Sequence, residues 1–590
     1  MATPDPTPPP EIPATAPPTF VGARRGEDGD EERIGLRRWL TLVVVLTATI
    51  IVVLDNTILN VAIPTILEEF HTTLPALEWV VTGYALTFAT FLIIGGRLGD
   101  LYGQRRVFIV GAGLFTAGSF LASISWNVGS LVLGEAFIEG LGASLMLPAT
   151  LALLSNTFQG RGRAMAFAAW GAVAGSAAGL GPVVGGFLTT DFSWRWAFRI
   201  NVIIAPLAII GALLFIPRST RASAREPLDV PGAALIAGGM FLLVFALSEG
   251  GTFGWLTPIA DVDAGPVHVW SRSWPVAITP VLFAASAVLL AAFYVHERAR
   301  ERADRSPLFE FGLLHHLTFR YGLVTSAVLS MGQLGLSFAL ALFLQEGKGL
   351  TALQNGLWVL PYGLSILVGA PIAGKLTSRI GTTRVIRVGL VIQCSGLLYV
   401  AMRVSPSLTF LELLPGLVAC GLGAGFATTQ LTNVVLSEIP PTKSGVASGT
   451  NSTVRQVGSA LGIATIGTLL TTLTVNHAID TLGRARALPP RVATRAAAQV
   501  RALGANYRPA AGSRSAVSAE LGHILRDAVS TATHGALLFA VAVVGAGALL
   551  SFLIPTGLPS LATAENRAAE ELGALLPLDP ESEILAPASN

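Results

Sequence analysis

The sequence predicts an all-α membrane protein: about fourteen spanning helices, arranged as two six-helix halves with two further helices inserted between them. Three observations carry this. The 590-residue chain is 52% hydrophobic and only 13% charged, with a mean hydropathy of +0.64, whereas soluble domains carry about 25% charged residues. Long apolar runs recur at about 39–63, 79–98, 106–124, 128–156, 164–189, 197–216, 230–249, 274–295, 319–344, 354–375, 385–402, 408–436, 445–474 and 533–555. Each is near the roughly 20 residues that cross a bilayer as a helix. Finally, one polar turn occurs twice. Gly96, Leu98, Gly103, Arg106 and Val107 align with Gly374, Leu376, Gly381, Arg384 and Val385, and Arg97 aligns with Lys375. The same loop reused in one orientation points to parallel halves, the repeat logic of a transporter. The two copies lie eight spans apart, which a six-helix half plus two inserted helices accounts for.

The chain in order supports these divisions. Residues 1–36 are proline-rich and then charged, and predict a disordered tail; they lack the order of a cleaved signal peptide. The first half covers 37–217, the inserted pair with its linkers 218–306, and the second half 307–556. An arginine-rich extracytoplasmic loop is expected over 475–532, and residues 557–590 form an acidic tail expected to be disordered. Flanking charge sets the orientation. Arg37, Arg38, Arg105, Arg106, Arg161, Arg163, the arginines of 218–225, 298–305 and 379–387, and Lys443 fall on one side. The short loops 64–78 and 125–127 on the other side hold no Lys or Arg. Both termini are therefore placed in the cytoplasm, with Arg195 and Arg199 against the rule. Three lysines, an arginine-, alanine- and proline-rich composition and no soluble domain fit a bacterial cytoplasmic membrane. The net charge of +2 is no signal for nucleic acid, and membrane lipid is the expected surroundings. Cys394 and Cys420 lie in apolar runs and read as small core residues.

Within the first turn, Asp100 follows one helix while Arg105 and Arg106 precede the next. A carboxylate among Arg97, Arg105 and Arg106 at helix ends can form a latch that closes in one conformation and opens in another; the arginines alone would also serve topology. In the run 164–189, glycines at four-residue spacing form a smooth ridge for close helix packing, and Pro182 can bend that helix. Embedded ionisable groups carry the most information, because charge in the membrane core is costly. Asp55 lies roughly 24 Å along its helix, and Glu135 and Glu139 roughly 10 and 16 Å from the outer end of the fourth span. The two glutamates share a helix face. Arg455 lies roughly 16 Å into its own helix and is a candidate compensating cation. No Walker loop is present. Gly421-Leu422-Gly423-Ala424-Gly425 lies in an apolar span and reads as helix packing, and Asn451-Ser452-Thr453 opens a spanning helix. No cofactor, metal site or catalytic residue is expected.

These residues resemble the fourteen-helix drug:proton antiporters (EmrB/QacA-like) of the major facilitator superfamily. Leu54-Asp55-Asn56-Thr57-Ile58-Leu59-Asn60-Val61-Ala62-Ile63-Pro64 is similar to the family's first-helix motif. Gly96 to Arg106 resembles its cytoplasmic gating loop. Gly171, Gly175, Gly179, Gly181, Pro182, Gly185 and Gly186 resemble its antiporter motif. Trp194-Arg195-Trp196-Ala197-Phe198 with Asn201, Glu249-Gly250-Gly251 with Gly254-Trp255, and Val454-Arg455-Gln456-Val457-Gly458 with Gly462 match further family patterns. The resemblance implies the major facilitator fold and proton-coupled export of amphipathic or cationic small molecules. One departure stands out: Glu135 occupies the place of the fourth-helix motif's arginine, which is held to matter for coupling, and Glu139 that of its glutamine. Three carboxylates in a low-dielectric cavity cannot all stay ionised. Asp55, Glu135 and Glu139 are therefore expected to bind a proton and release it to substrate or water. The alternatives are an uncoupled facilitator, a dedicated exporter of one metabolite or lipid, and a non-transporting sensor or scaffold. The inserted pair is expected at the periphery, away from the central pathway.

Overall fold

The computed structural model describes residues 24–72, 74–217, 228–264, 267–303, 305, 307–485, 488–503 and 516–555. Each predicted apolar run is a helix. The first half comprises α1 (Arg24–Phe70), α2 (Leu74–Tyr102), α3 (Gln104–Ser123), a broken fourth span, α6 (Gly160–Asp191) and α7 (Trp196–Phe215). The fourth span runs as α4 (Val128–Leu131), a π-helical segment (Val132–Glu139) and α5 (Gly140–Thr157). The inserted helices are α8 (Val230–Phe253) and α9 (Ile278–Arg302). The second half comprises α10 (Leu317–Leu342), α11 (Ala352–Ile380), α12 (Thr382–Arg403), α13 (Phe410–Val435), α14 (Ser444–Arg484) and α16 (Ala516–Leu550). Among the described residues, 13 helices are long and apolar enough to cross a membrane. Helix α6 is not among those 13, but its 32 residues are long enough to cross, reaching roughly 48 Å at 1.5 Å per residue.

The two copies of the polar turn take the same backbone path. Gly103 precedes α3 at φ 94°, and Gly381 precedes α12 at φ 84°. Both are in the left-handed region that favours glycine, which is why this residue recurs at that point of the repeat. The halves meet along two seams, α6 against α11 and α2 against α14. Apolar packing crosses that division at one place. One core fills the first half and runs on through Phe293 of α9, Leu308 and Phe309 to Phe319, Leu323, Val435 and Val446 of the second half, and another lies within the second half.

Several expectations change. Helix α1 starts at Arg24, so residues 24–36 are helical and not a disordered tail. The prolines end at Pro18, and a helix already nucleated in the span extends backwards at little cost. The expected loop 475–532 is also mostly helical. Helix α14 continues to Arg484, α15 (Pro490–Leu503) follows, and α16 begins at Ala516. Leu482, Leu488, Val500, Leu521 and Ile524 form a small core of their own there, so the described parts of this arginine-rich segment pack together. A two-stranded antiparallel hairpin, β1 (Val262–Ala264) and β2 (Val267–Trp270), joins the inserted helices. Helix α8 packs on both α2 and α14, so the insert sits against the seam between halves. The tail 557–590 lies outside the described residues.

Arg195, against the charge rule, is neutralised locally. Its guanidinium bonds Glu69 at 2.5 Å, donates to the Ser125 carbonyl at 3.1 Å, and lies 4.4 Å over the Trp194 ring. Trp194 Nε1 donates to the same Glu69 carboxylate at 2.6 Å.

Candidate functional site

The structure brings Asp55, Glu135 and Glu139 together. Their carboxylates offer oxygens that all lie within 4.8 Å of one another, and each residue is at most 3% exposed. Asp55 comes from the middle of α1. Both glutamates come from the π-helical segment, whose wider turn is often found where a helix carries function. Gly118 on α3 and Gly134 let the two backbones approach closely there: a Cβ on Gly134 would stand 2.8 Å from the Ala122 nitrogen. Asn201 on α7 bridges the acids, donating to Asp55 Oδ1 at 2.7 Å and Glu139 Oε1 at 3.2 Å. Ser119 on α3 donates a short hydrogen bond to Glu139 Oε1. Asp55 Oδ2, Glu135 Oε2 and Glu139 Oε2 are sealed from solvent and accept no hydrogen bond among the described residues.

Three facing carboxylates repel strongly where little water screens them. The cluster therefore requires positive charge, as protons or as a hard cation bound by oxygen. Arg455 does not supply it: on α14, it makes no hydrogen bond or ion pair with the acids among the described residues. Among the described residues, the groups that bond the acids all belong to the first half. The acids thus lie buried inside that bundle, among α1, α3, the π segment and α7. Sequence spacing had singled out the three acids. Ser119 carries no such signal, since a serine in an apolar helix is ordinary.

The gating loop closes differently from the arginine latch expected. Asp100 reaches across the seam to the N-terminus of α14. Its Oδ1 accepts the Gly445 N–H at 2.8 Å and its Oδ2 the Val446 N–H at 2.8 Å. Gln104 Nε2 donates to Oδ1 at 2.9 Å, and the charge of Arg97 adds attraction. Helix N-termini present unpaired N–H groups and a positive dipole end, so a carboxylate fits there. Gly96 and Gly445 meet backbone to backbone: a Cβ on either would stand closer than 3.0 Å to the other's carbonyl oxygen. Arg105 Nη2 instead donates to the Leu213 carbonyl at 2.6 Å, within its own half, and Arg106 is exposed. At the same end, Arg163 donates to the Leu436 carbonyl at 2.7 Å and Asn156 to Ser444 Oγ at 3.1 Å. These are further bonds between the halves.

The glycine ridge on α6 has two working faces. Gly181 and Gly185 receive α1 at Thr57 and Ile58, just beyond Asp55. Gly171, Gly175 and Gly186 receive Thr429, Ile366 and Leu353 of the second half. A Cβ on Gly181 or Gly175 would overlap its partner. The surroundings of Gly179 and Pro182 lie outside the described residues. Helix α6 therefore joins the helix that bears the buried acid to the opposite half.

Two helical halves joined by a polar contact at one end, with ionisable groups buried in one of them, fit a two-half membrane transporter. The chain belongs to the major facilitator superfamily, whose family model matches residues 45–463, and it is a multi-pass membrane protein. It is similar to the probable actinorhodin transporter of Streptomyces coelicolor, 34% identical over 77% of each chain. It is also similar to the tetracenomycin C resistance and export protein of Streptomyces glaucescens, 29% identical over 79% of this chain and 81% of that one. The multidrug resistance protein Stp of Mycobacterium tuberculosis is 30% identical over 70% and 72%. In fold, the crystal structure of the human organic anion transporter MFSD10 aligns with a TM-score of 0.52 and 15% identity, over 86% of this chain and 99% of that one.

Proposed function

We infer that this chain is a secondary exporter of drugs or related amphipathic small molecules, driven by protons entering in exchange. Relatives that are antibiotic transporters and resistance proteins support the cargo class. The observation that carries the coupling is the buried group of Asp55, Glu135 and Glu139, which calls for positive charge where no basic side chain among the described residues bonds it. Because the acids are enclosed within the first half, coupling is indirect. Proton binding changes how α1 sits against Gly181 and Gly185, and α6 passes that change to the second half. Substrate then occupies the space between the halves and does not compete for the carboxylates themselves. The arginine-bearing loops at the latch end support a cytoplasmic side for that end, and for both termini, in a bacterial cell. The latch would then be closed toward the cytoplasm.

Purified protein in weak buffer provides the test. Adding a transported compound should release protons from wild type, with much less released from Glu135→Gln and Asp55→Asn. If wild type releases none with a compound it demonstrably transports, the coupling reading fails and facilitated export remains. A panel of unrelated compounds separates a multidrug pump from a dedicated exporter, and unchanged dye accumulation in cells would favour a sensor.

A further inference from the structure

A second ionisable cluster lies outside the transport site, at the latch end of the inserted helices. Asp229 precedes α8, and His296 and Glu297 are consecutive on α9. Their ligand atoms all lie within 4.8 Å of one another. His296 Nε2 is 2.9 Å from Asp229 Oδ2. Asp229 and Glu297 are 5% and 0% exposed. Two further observations separate this group from an ordinary ion pair. Asp229 Oδ1 and Glu297 Oε1 are buried with no hydrogen-bond partner among the described residues, so each carboxylate keeps one oxygen free to bind an ion. Gly232 stands over the same place: a Cβ there would be closer than 3.0 Å to both Asp229 Oδ2 and Glu297 Oε1. That space is kept open at a point on α8 where alanine would favour the helix more.

We propose that Asp229, His296 and Glu297 bind one divalent ion of the zinc class beneath Gly232. One imidazole nitrogen and two carboxylate oxygens form a mixed donor set that suits Zn²⁺ over Mg²⁺ or Ca²⁺. Three protein ligands leave a fourth position for water. Arg300 Nε, 3.3 Å from Asp229 Oδ2, serves as an outer partner that orients the carboxylate. The three charged groups, Asp229, Glu297 and Arg300, sum to one negative charge when His296 is neutral, and the ion reverses it.

The site has a route to the latch. Glu297 Oε2 accepts the N–H groups of Leu308 at 2.7 Å and Phe309 at 3.3 Å, and Glu301 Oε1 accepts that of Phe311 at 2.6 Å. Between them, Glu310 forms an ion pair with Lys443, just before the α14 N-terminus that Asp100 holds. An ion that fixes Glu297 therefore fixes a strap running from the insert to the latch.

The experiment loads full-length protein in detergent with Zn²⁺, desalts it, and measures metal per chain. Wild type should retain one equivalent, with no loss to equimolar Mg²⁺. His296→Ala with Glu297→Gln, and separately Gly232→Ala, should each retain less than a tenth of that while eluting as monodisperse protein. Asp55→Asn should retain the full equivalent. The proposal is overturned if wild type retains no more than the double variant. It is equally overturned if Gly232→Ala binds as wild type, or if Asp55→Asn abolishes the signal and so places the ion in the three-carboxylate cluster. Gly232→Ala keeps every ligand, so it decides the matter even should the double variant misfold.

Discussion

Replacing Asp100 with Asn probes the latch with the least steric change. The wild-type carboxylate accepts two N–H groups from the start of α14, at 2.8 Å each. Asparagine retains one acceptor oxygen but turns an amide N–H₂ toward the other donor and loses the charge that the helix end favours. A hydrogen bond to a charged group contributes about 1.5–3 kcal/mol, so the state closed at this end should weaken by about that much. That is about a 10- to 150-fold shift toward opening. Glycine contact between α2 and α14 remains, so the helices still insert and pack. The direct readout is the distance between spin labels at Arg106 and Thr442, on opposite sides of the seam. The variant should populate a longer distance at wild-type expression, and transport should fall by at least tenfold. A distance distribution and transport rate equal to wild type would show that the Asp100 contact holds nothing closed.

Gly181→Val places a branched side chain where Thr57 of α1 already lies, and overpacking of this kind costs roughly 1–3 kcal/mol. It should impair export while Gly113→Val, where the added Cβ meets nothing within 4 Å, leaves transport at wild-type level. Glu69 lies beyond the membrane-spanning part of α1. Partial burial would push its carboxyl up, but the hydrogen bonds from Arg195 and Trp194 and the Arg195 charge outweigh this and hold it below the ordinary carboxylate range. A depressed folded value means its contribution is present above the unfolded value of 4.5 and is lost as pH falls through the folded one. Thermal midpoints of wild type and Glu69→Gln should therefore differ near neutrality and converge on acidification, with a constant difference counting against the clamp.

How much was legible in the sequence differs from element to element. Every spanning helix was, because lipid offers no partner for backbone N–H and C=O groups and long apolar runs have only one way to satisfy them. The repeat was legible for a similar reason: Gly103 and Gly381 must adopt a backbone conformation that other residues resist, so the turn carries its own mark. The acids Asp55, Glu135 and Glu139 were visible because charge is rare in such runs. Depth along the helices placed them level with one another.

Only the tertiary structure decided which partners these groups meet. Asp100 ends on backbone N–H groups 345 residues away, and backbone amides leave no mark in a sequence. The enclosure of the acids by Ser119 and Asn201 depends on how α3 and α7 close over α1. The packing of the described parts of 475–532 is not legible because their apolar residues are too sparse for a span yet sufficient for a small core once three helices bring them together. Asp229 lies far along the chain from His296 and Glu297, so that cluster exists only through the pairing of α8 with α9. A sequence records what each residue costs in its surroundings, so it showed where helices cross and where charge is buried. Which side chains face one another follows from the rotation and approach of packed helices, and those are properties of the assembled bundle.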